Sequence, residues 1–201
     1  MDKSKLYFVE EDHKYYYDGI LIPSVTQVLK HSGYIDYSFV SEKYMNRGTA
    51  VHAITELVDQ GINDYSLIAP EIVPFVSAYE LFIAEMKPVY TDTESIVLGQ
   101  IDSMLYAGTV DRVILENGAK RILDIKTGFF AKWHPMQIVA YMIAEGLSDG
   151  LDLYLLNSGE YKIRPITEVD KYKKLFTSAL YKFWYDHKRE WNKISKEIVS
   201  V

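Results

Sequence analysis

Runs of apolar residues with two different periods divide the chain into elements. From Leu6 to Pro23, aromatic and β-branched residues dominate. Polar positions from Glu10 to Lys14 and an Asp18-Gly19 turn signal split this stretch, predicting two short strands in a hairpin. Ser24 then precedes Val25, Val28 and Leu29 at helical spacing, and Gly33 closes that short helix. A longer helix is expected from Ser38 through Arg47, His52 and Glu56 to about Gln60, with Gly61 ending it. Pro70 and Glu71 open another, in which Val73, Val76, Tyr79, Phe82, Ile83 and Met86 recur at threes and fours as far as Pro88.

From Val89 to Leu115 the pattern becomes strand-like, with Gly99 and Gly108 read as bends. Asn117-Gly118 is a hairpin turn leading into Arg121 to Lys126, so an antiparallel meander of about three strands is predicted. Ala131 to Glu145 is helical, with Ile138, Tyr141 and Met142 on one face. Leu151 to Leu156 and Tyr161 to Ile166 are strands around Asn157-Ser158-Gly159, and Glu168 to about Ile198 is a long lysine-rich final helix. This order predicts an α/β fold, with a central mixed β-sheet flanked by α-helices and preceded by an N-terminal β-hairpin. No repeat, low-complexity run or linker-like stretch interrupts residues 1–201, and a single domain is expected.

Composition narrows the chemistry. The absence of cysteine excludes thiolate zinc sites, cysteine-ligated clusters, disulfides and cysteine nucleophiles, so any metal must sit on oxygen or imidazole. A net charge of −6 argues against a protein that coats nucleic acid by charge alone, although a local patch still permits contact. The N-terminal residues lack the apolar run of a signal peptide, and no stretch of 18 apolar residues occurs. A soluble, intracellular, cytoplasmic protein without membrane contact is the expectation.

Against that background two aspartates stand out. Asp111 in Gly108-Thr-Val-Asp111 and Asp124 in Ile122-Leu-Asp124-Ile-Lys126 lie on neighbouring predicted strands. Asp124 and Lys126, two apart, point to one face, with Leu123 and Ile125 on the other. A carboxylate pair holding Mg²⁺ or Mn²⁺ would lower the pKa of a bound water and neutralise charge on a phosphate. A nearby lysine would orient or help deprotonate that water and stabilise the transition state. Taken alone, D-x-K is more commonly an ordinary ion pair on an exposed edge strand; here it lies in apolar strands, where uncompensated charge is costly.

Together with three further segments, these residues resemble the PD-(D/E)XK nuclease superfamily, in particular its RecB-like branch of CRISPR-associated and phage-type exonucleases. Arg47-Gly48-Thr-Ala-Val-His52 resembles that branch's helical G-x-x-x-H motif, and Gly108 to Asp111 its first acidic strand. Asp124 to Gly128 resembles the D/E-x-K strand, and Gln137-Ile-Val-Ala-Tyr141 the Q-x-x-x-Y helix. The motifs span about residues 47–141, and Pro23-Ser24-Val25-Thr26 resembles the entry segment of phage-type members. The resemblance implies a restriction-endonuclease-like core. It implies metal ligation by His52, Asp111, Asp124 and the Ile125 backbone carbonyl, catalysis by Lys126, and positioning of substrate or lysine by Gln137 and Tyr141. It further implies Mg²⁺ or Mn²⁺ as cofactor, DNA as substrate, and an exonuclease of recombination, repair or phage replication working beside a recombination or single-strand-binding protein. Many branch members have Glu at the position of Asp124, and several carry cluster-binding cysteines that this chain lacks.

Other residues have plainer readings. Glu56, one turn after His52, could orient its second nitrogen but reads more simply as a solvated helix residue, and Glu94 at the start of the meander resembles an additional glutamate that some members use near the metal but is left out of the ligand set. Tyr15 to Tyr17 form a packed aromatic hairpin rather than a stacking platform for bases, and the basic final helix is a solvated face. Two rival functions remain at this level: a catalytically silent nuclease-like DNA-binding subunit, and an unrelated metal-dependent phosphohydrolase acting on nucleotides.

Overall fold

The computed structural model describes residues 2–36, 38, 42–62 and 68–198, and side chains among these except at 42, 43 and 188–198. The start of the predicted second helix around Ser38 lies partly outside the described residues.

Strands β1 (Leu6–Val9), β2 (Lys14–Tyr17) and β3 (Ile20–Ile22) form an antiparallel sheet in that order. Two strands were expected here. The third forms because Asp18 and Gly19 both take positive φ, 53° and 75°, the two-residue turn that returns Ile20 against Tyr17. Tyr15 is 2% exposed with its hydroxyl 2.8 Å from Thr109 Oγ1, and Tyr16 stacks on Tyr7 at 5.1 Å. The tyrosine run is therefore packed within the protein.

The central sheet contains β4 (Val89–Ile101), β5 (Met104–Glu116), β6 (Ala119–Lys126), β7 (Gly150–Leu155) and β8 (Tyr161–Pro165), hydrogen-bonded in chain order. All neighbours are antiparallel except β6 and β7, which are parallel. A parallel pair needs a crossover, and helix α4 (His134–Glu145) supplies it. The predicted meander is present, with Asn117 and Gly118 in its second turn at φ 51° and 79°.

Gly99 and Gly108 are not bends. Both lie inside strands, in the space of aromatic rings: a Cβ on Gly99 would stand 2.0 Å from Tyr106 Cζ, and one on Gly108 2.6 Å from Tyr141 Cε1. The reversal between β4 and β5 falls instead at Asp102-Ser103, with Asp102 at φ 54°.

The remaining helices are α1 (Val25–His31), α2 (Glu42–Asp59), α3 (Val73–Met86) and α5 (Val169–Ile198). Ser24 caps α1, accepting from Gln27 N–H while the Gln27 side chain takes the Ser24 N–H, a capping box. Helices α3 and α4 begin three residues later than their first helical signals, each with proline in the first turn, where its missing N–H is harmless.

One sheet face and the N-terminal sheet pack with α1, α4 and α5 around Val28, Ile122, Ile138 and Phe176. The other face packs with α2 and α3 around Val51, Phe75, Tyr79, Leu123 and Ile125. Ile122 and Leu123 fall into different clusters, as strand alternation requires. On α5, Lys171 pairs with Glu168 and Lys182 with Asp186, in keeping with a solvated face. Among the described residues, no helix is long and apolar enough to cross a membrane.

Candidate active site

The sheet opens where its charged residues collect. Strands β5 and β6 pair from Glu116↔Ala119 to Arg112↔Leu123 and then part, whereas β6 stays paired with β7 through Lys126↔Tyr154. Asp111 bridges the opening: its Oδ2 accepts a hydrogen bond from the Ile125 N–H at 2.6 Å. The registers also align one row across all five strands. Glu94 sits between the pairs Thr93↔Arg112 and Ser95↔Val110, and so faces Asp111. Continuing the β5–β6 register brings Asp111 to Asp124, which neighbours Asp152, which neighbours Arg164.

Helix α2 adds an imidazole from the opposite side. His52 Nδ1 lies 3.5 Å from Asp111 Oδ1, and potential ligand atoms of His52, Glu94 and Asp111 all lie within 4.8 Å of one another. Two ligands about 2.2 Å from one ion stand at most about 4.4 Å apart, so a small inward movement of these three would seat a divalent cation. One imidazole and two carboxylates suit Mn²⁺ or Mg²⁺. Burial, and then the neighbouring Asp111, push the Glu94 carboxyl up to about 7, a tension that a cation would relieve.

The ligand set expected from sequence shares two members with this triad, His52 and Asp111. Glu94, set aside at the sequence level, completes it. Asp124, 2% exposed, is instead ion-paired with Lys126; burial raises its pKa to about 6 although Lys126 opposes the rise. Ile125 gives its N–H to Asp111 and packs its side chain into the opposite core.

Lys126 is tied to α4. Its Nζ donates to Gln137 Oε1 at 2.8 Å, and Gln137 Nε2 donates to the Tyr141 hydroxyl at 3.1 Å. The four-residue spacing puts both side chains on one helix face, and the absent Cβ of Gly108 makes room for the tyrosine ring. Burial alone would lower the lysine pKa, but Asp124 and then Asp111 outweigh it and hold the group above its ordinary value. Lys126 is thus an ammonium. The buried Tyr141 keeps its proton, its pKa raised by desolvation.

Arg112, absent from the sequence-level site, holds the triad's framework. Its guanidinium is fully buried on the α2 side of the sheet. Nε donates to Asp59 Oδ2 at 2.6 Å, and Nη1 to Glu94 Oε1 at 2.9 Å and to the Asp111 carbonyl at 2.6 Å. Tyr79 donates to Asp59 from α3, and Thr55 Oγ1 donates to the His52 carbonyl at 2.8 Å. An arginine inside Thr-Val-Asp111-Arg-Val-Ile was visible as an ion in an apolar strand, but its partners on α2 and β4 are nearly 20 or more residues away. Arg47 plays a similar part, donating to the Thr127 carbonyl at 2.6 Å and tying α2 to the segment after Lys126.

No protein-family model matches the chain, and no curated protein matches it. Among solved structures, an alkaline exonuclease from Laribacter hongkongensis aligns with a TM-score of 0.52 at 10% identity, over 89% of this chain and 94% of that one. The same enzyme in complex with dAMP gives 0.48 at 11% identity over the same shares. A candidate exonuclease from Eubacterium rectale gives 0.45 at 16% identity, over 86% of this chain and 74% of that one. At 10% identity, what the chain shares with the first of these is its fold.

Proposed function

We propose that the protein is a divalent-metal-dependent deoxyribonuclease of PD-(D/E)XK, RecB-like type, acting as one domain across residues 1–201, and that it works as an exonuclease on DNA ends. The observation that carries this reading is the convergence of His52, Glu94, Asp111, Asp124 and Lys126 at the parting of β5 and β6. The fold shared with an exonuclease supports it.

His52, Glu94 and Asp111 would hold the cation, and Asp124, next to Asp111 in the row and paired with Lys126, would join them only by moving. When bound, Mg²⁺ or Mn²⁺ supplies Lewis acidity and neutralises charge on the attacked phosphate. Lys126, kept protonated, presents Nζ–H to phosphate oxygen as negative charge develops there. Gln137 accepts one Nζ hydrogen and so fixes where the others point, while Tyr141 fixes which way round the Gln137 amide lies.

The test is degradation of end-labelled single- and double-stranded DNA with Mg²⁺, Mn²⁺ or EDTA, by wild type, Asp111→Ala and Lys126→Ala. Metal-dependent loss of label abolished by both substitutions is the expected result. DNA binding without cleavage under either metal would replace this reading with a DNA-binding subunit, and cleavage of free nucleotides alone with a phosphohydrolase.

A further inference from the structure

Asp152 has no place in the chemistry above, yet it is the least comfortable group in the sheet. It is 0% exposed in β7, where every residue is buried. Among the described residues it alone has both carboxylate oxygens buried without a hydrogen bond. A carboxylate serving only the fold would be hydrogen-bonded, and an apolar side chain would fill the strand at lower cost.

Its surroundings leave few partners. Ladder neighbours share a face, so Asp152 faces Asp124 on β6 and Arg164 on β8, with Lys126 and Tyr154 one step along. The Tyr154 hydroxyl lies beside Asp152 and weakly favours its charged form, but without hydrogen-bond geometry, and it is engaged with His134 Nδ1 at 2.7 Å. The Arg164 guanidinium lies on the Phe130 ring, 3.6 Å from its centroid. Lys126 is the interior cation left, and it is held by Asp124 and Gln137, which occupy two of its three N–H donors.

We propose that Asp152 is the reserve counter-ion of Lys126: when a divalent cation draws Asp124 towards the His52–Glu94–Asp111 triad, the lysine passes its ion pair to Asp152 and stays anchored. Without such a partner, cation binding would strip Lys126 of its paired charge inside the protein, an arrangement that is strongly unfavourable. Asp152 is a positioning residue. It acts through Lys126 and touches neither cation nor DNA. The catalytic consequence rests on the nuclease reading, but the exchange of partners is observable without any cleavage.

Crystal structures of the wild-type protein grown with Mn²⁺ and with EDTA test the exchange directly. With Mn²⁺, Lys126 Nζ is expected within about 3 Å of an Asp152 oxygen; Nζ remaining on Asp124, or Asp152 pairing with Arg164, overturns the proposal. Asp152→Asn is expected to keep or raise the metal-free Tm, since it removes an uncompensated charge. It should bind Mn²⁺ within about threefold of wild type, and lower kcat about tenfold at unchanged KM. A lower Tm with unchanged kcat would make Asp152 structural, and equal losses of Mn²⁺ affinity and kcat would make it a ligand; either overturns the proposal. If Lys126 changes partner in a wild-type protein that cuts no DNA, the nuclease reading fails while the partner exchange stands.

Discussion

Asp111 uses its two carboxylate oxygens differently: Oδ2 takes the Ile125 N–H at 2.6 Å, and Oδ1 faces His52 Nδ1 at 3.5 Å. One oxygen closes the gap between two strands and the other is offered to a cation, so two substitutions separate the roles. Asp111→Asn keeps an acceptor for Ile125 and loses the charge. Its Tm should stay close to wild type, while Mn²⁺ affinity by calorimetry falls at least about tenfold and DNA cleavage is lost. Asp111→Ala also leaves the Ile125 donor unsatisfied, and should lose a further ~1–3 kcal/mol in chemical denaturation. Equal stabilities for the two variants would show that the Ile125 bond contributes nothing.

Arg112 offers a sharper stability test. Replacing it with Leu leaves Asp59 and Glu94 without their cation, and the expected loss is ~3–5 kcal/mol. Adding Asp59→Leu to Arg112→Leu removes one of the abandoned charges and should recover part of that loss, a coupling readable in a double-mutant cycle. Strict additivity of the two substitutions would deny the ion pair its role.

Much of this architecture was legible because it is local. The meander, the Asn117-Gly118 turn, the Ser24 cap and the same-face placement of Asp124 and Lys126 follow from periods and turn chemistry over a few residues. Asp59 was not legible and Glu94 only faintly, as a resemblance to an additional glutamate near the metal, because their roles come from cross-strand register and from a buried arginine, both set by tertiary pairing. Asp152 carried a signal that went unused: a single acid in Leu-Asp-Leu-Tyr-Leu-Leu is as anomalous as Asp124 in Leu-Asp-Ile. Gly99 and Gly108 misled because a glycine in a strand marks either a bend or the close approach of another group, and only packing decides which.

The buried acids make the metal-free fold pH-sensitive in an uncommon direction. Burial raises Glu94 and Asp152 to about 7 and Asp124 to about 6, above their unfolded values. Over that interval the folded state binds more protons than the unfolded one, so stability falls as pH rises from the ordinary carboxylate range to about 7. In EDTA, Tm should therefore decline from pH 5 to pH 8, the three acids outweighing buried His134, whose imidazole is held down to about 3 by desolvation and acts in the opposite sense below its unfolded value. Mn²⁺, which competes with those protons, should stabilise more strongly at the upper end. A Tm in EDTA that rises across this interval would contradict the burial of these groups as ionisable acids.

Gly108 and Tyr141 allow the positioning of Lys126 to be tested from a distance. A methyl group on Gly108 meets Tyr141 Cε1 at 2.6 Å within a buried strand, so the ring must move. Overpacking of this kind costs ~1–3 kcal/mol. The displaced tyrosine no longer receives the Gln137 Nε2 hydrogen, the amide loses its fixed orientation, and Lys126 Nζ loses a defined acceptor. Tyr141→Phe cuts the same chain without the clash, leaving the ring in place and removing only the hydroxyl. Both Gly108→Ala and Tyr141→Phe should lower kcat with little change in KM, but only Gly108→Ala should lower Tm markedly. Because they act on one chain, the double variant should be hardly slower than the slower single one. If the effects on kcat instead multiply, Tyr141 influences cleavage by some route other than Gln137, and the line from α4 to the lysine is not what orients it.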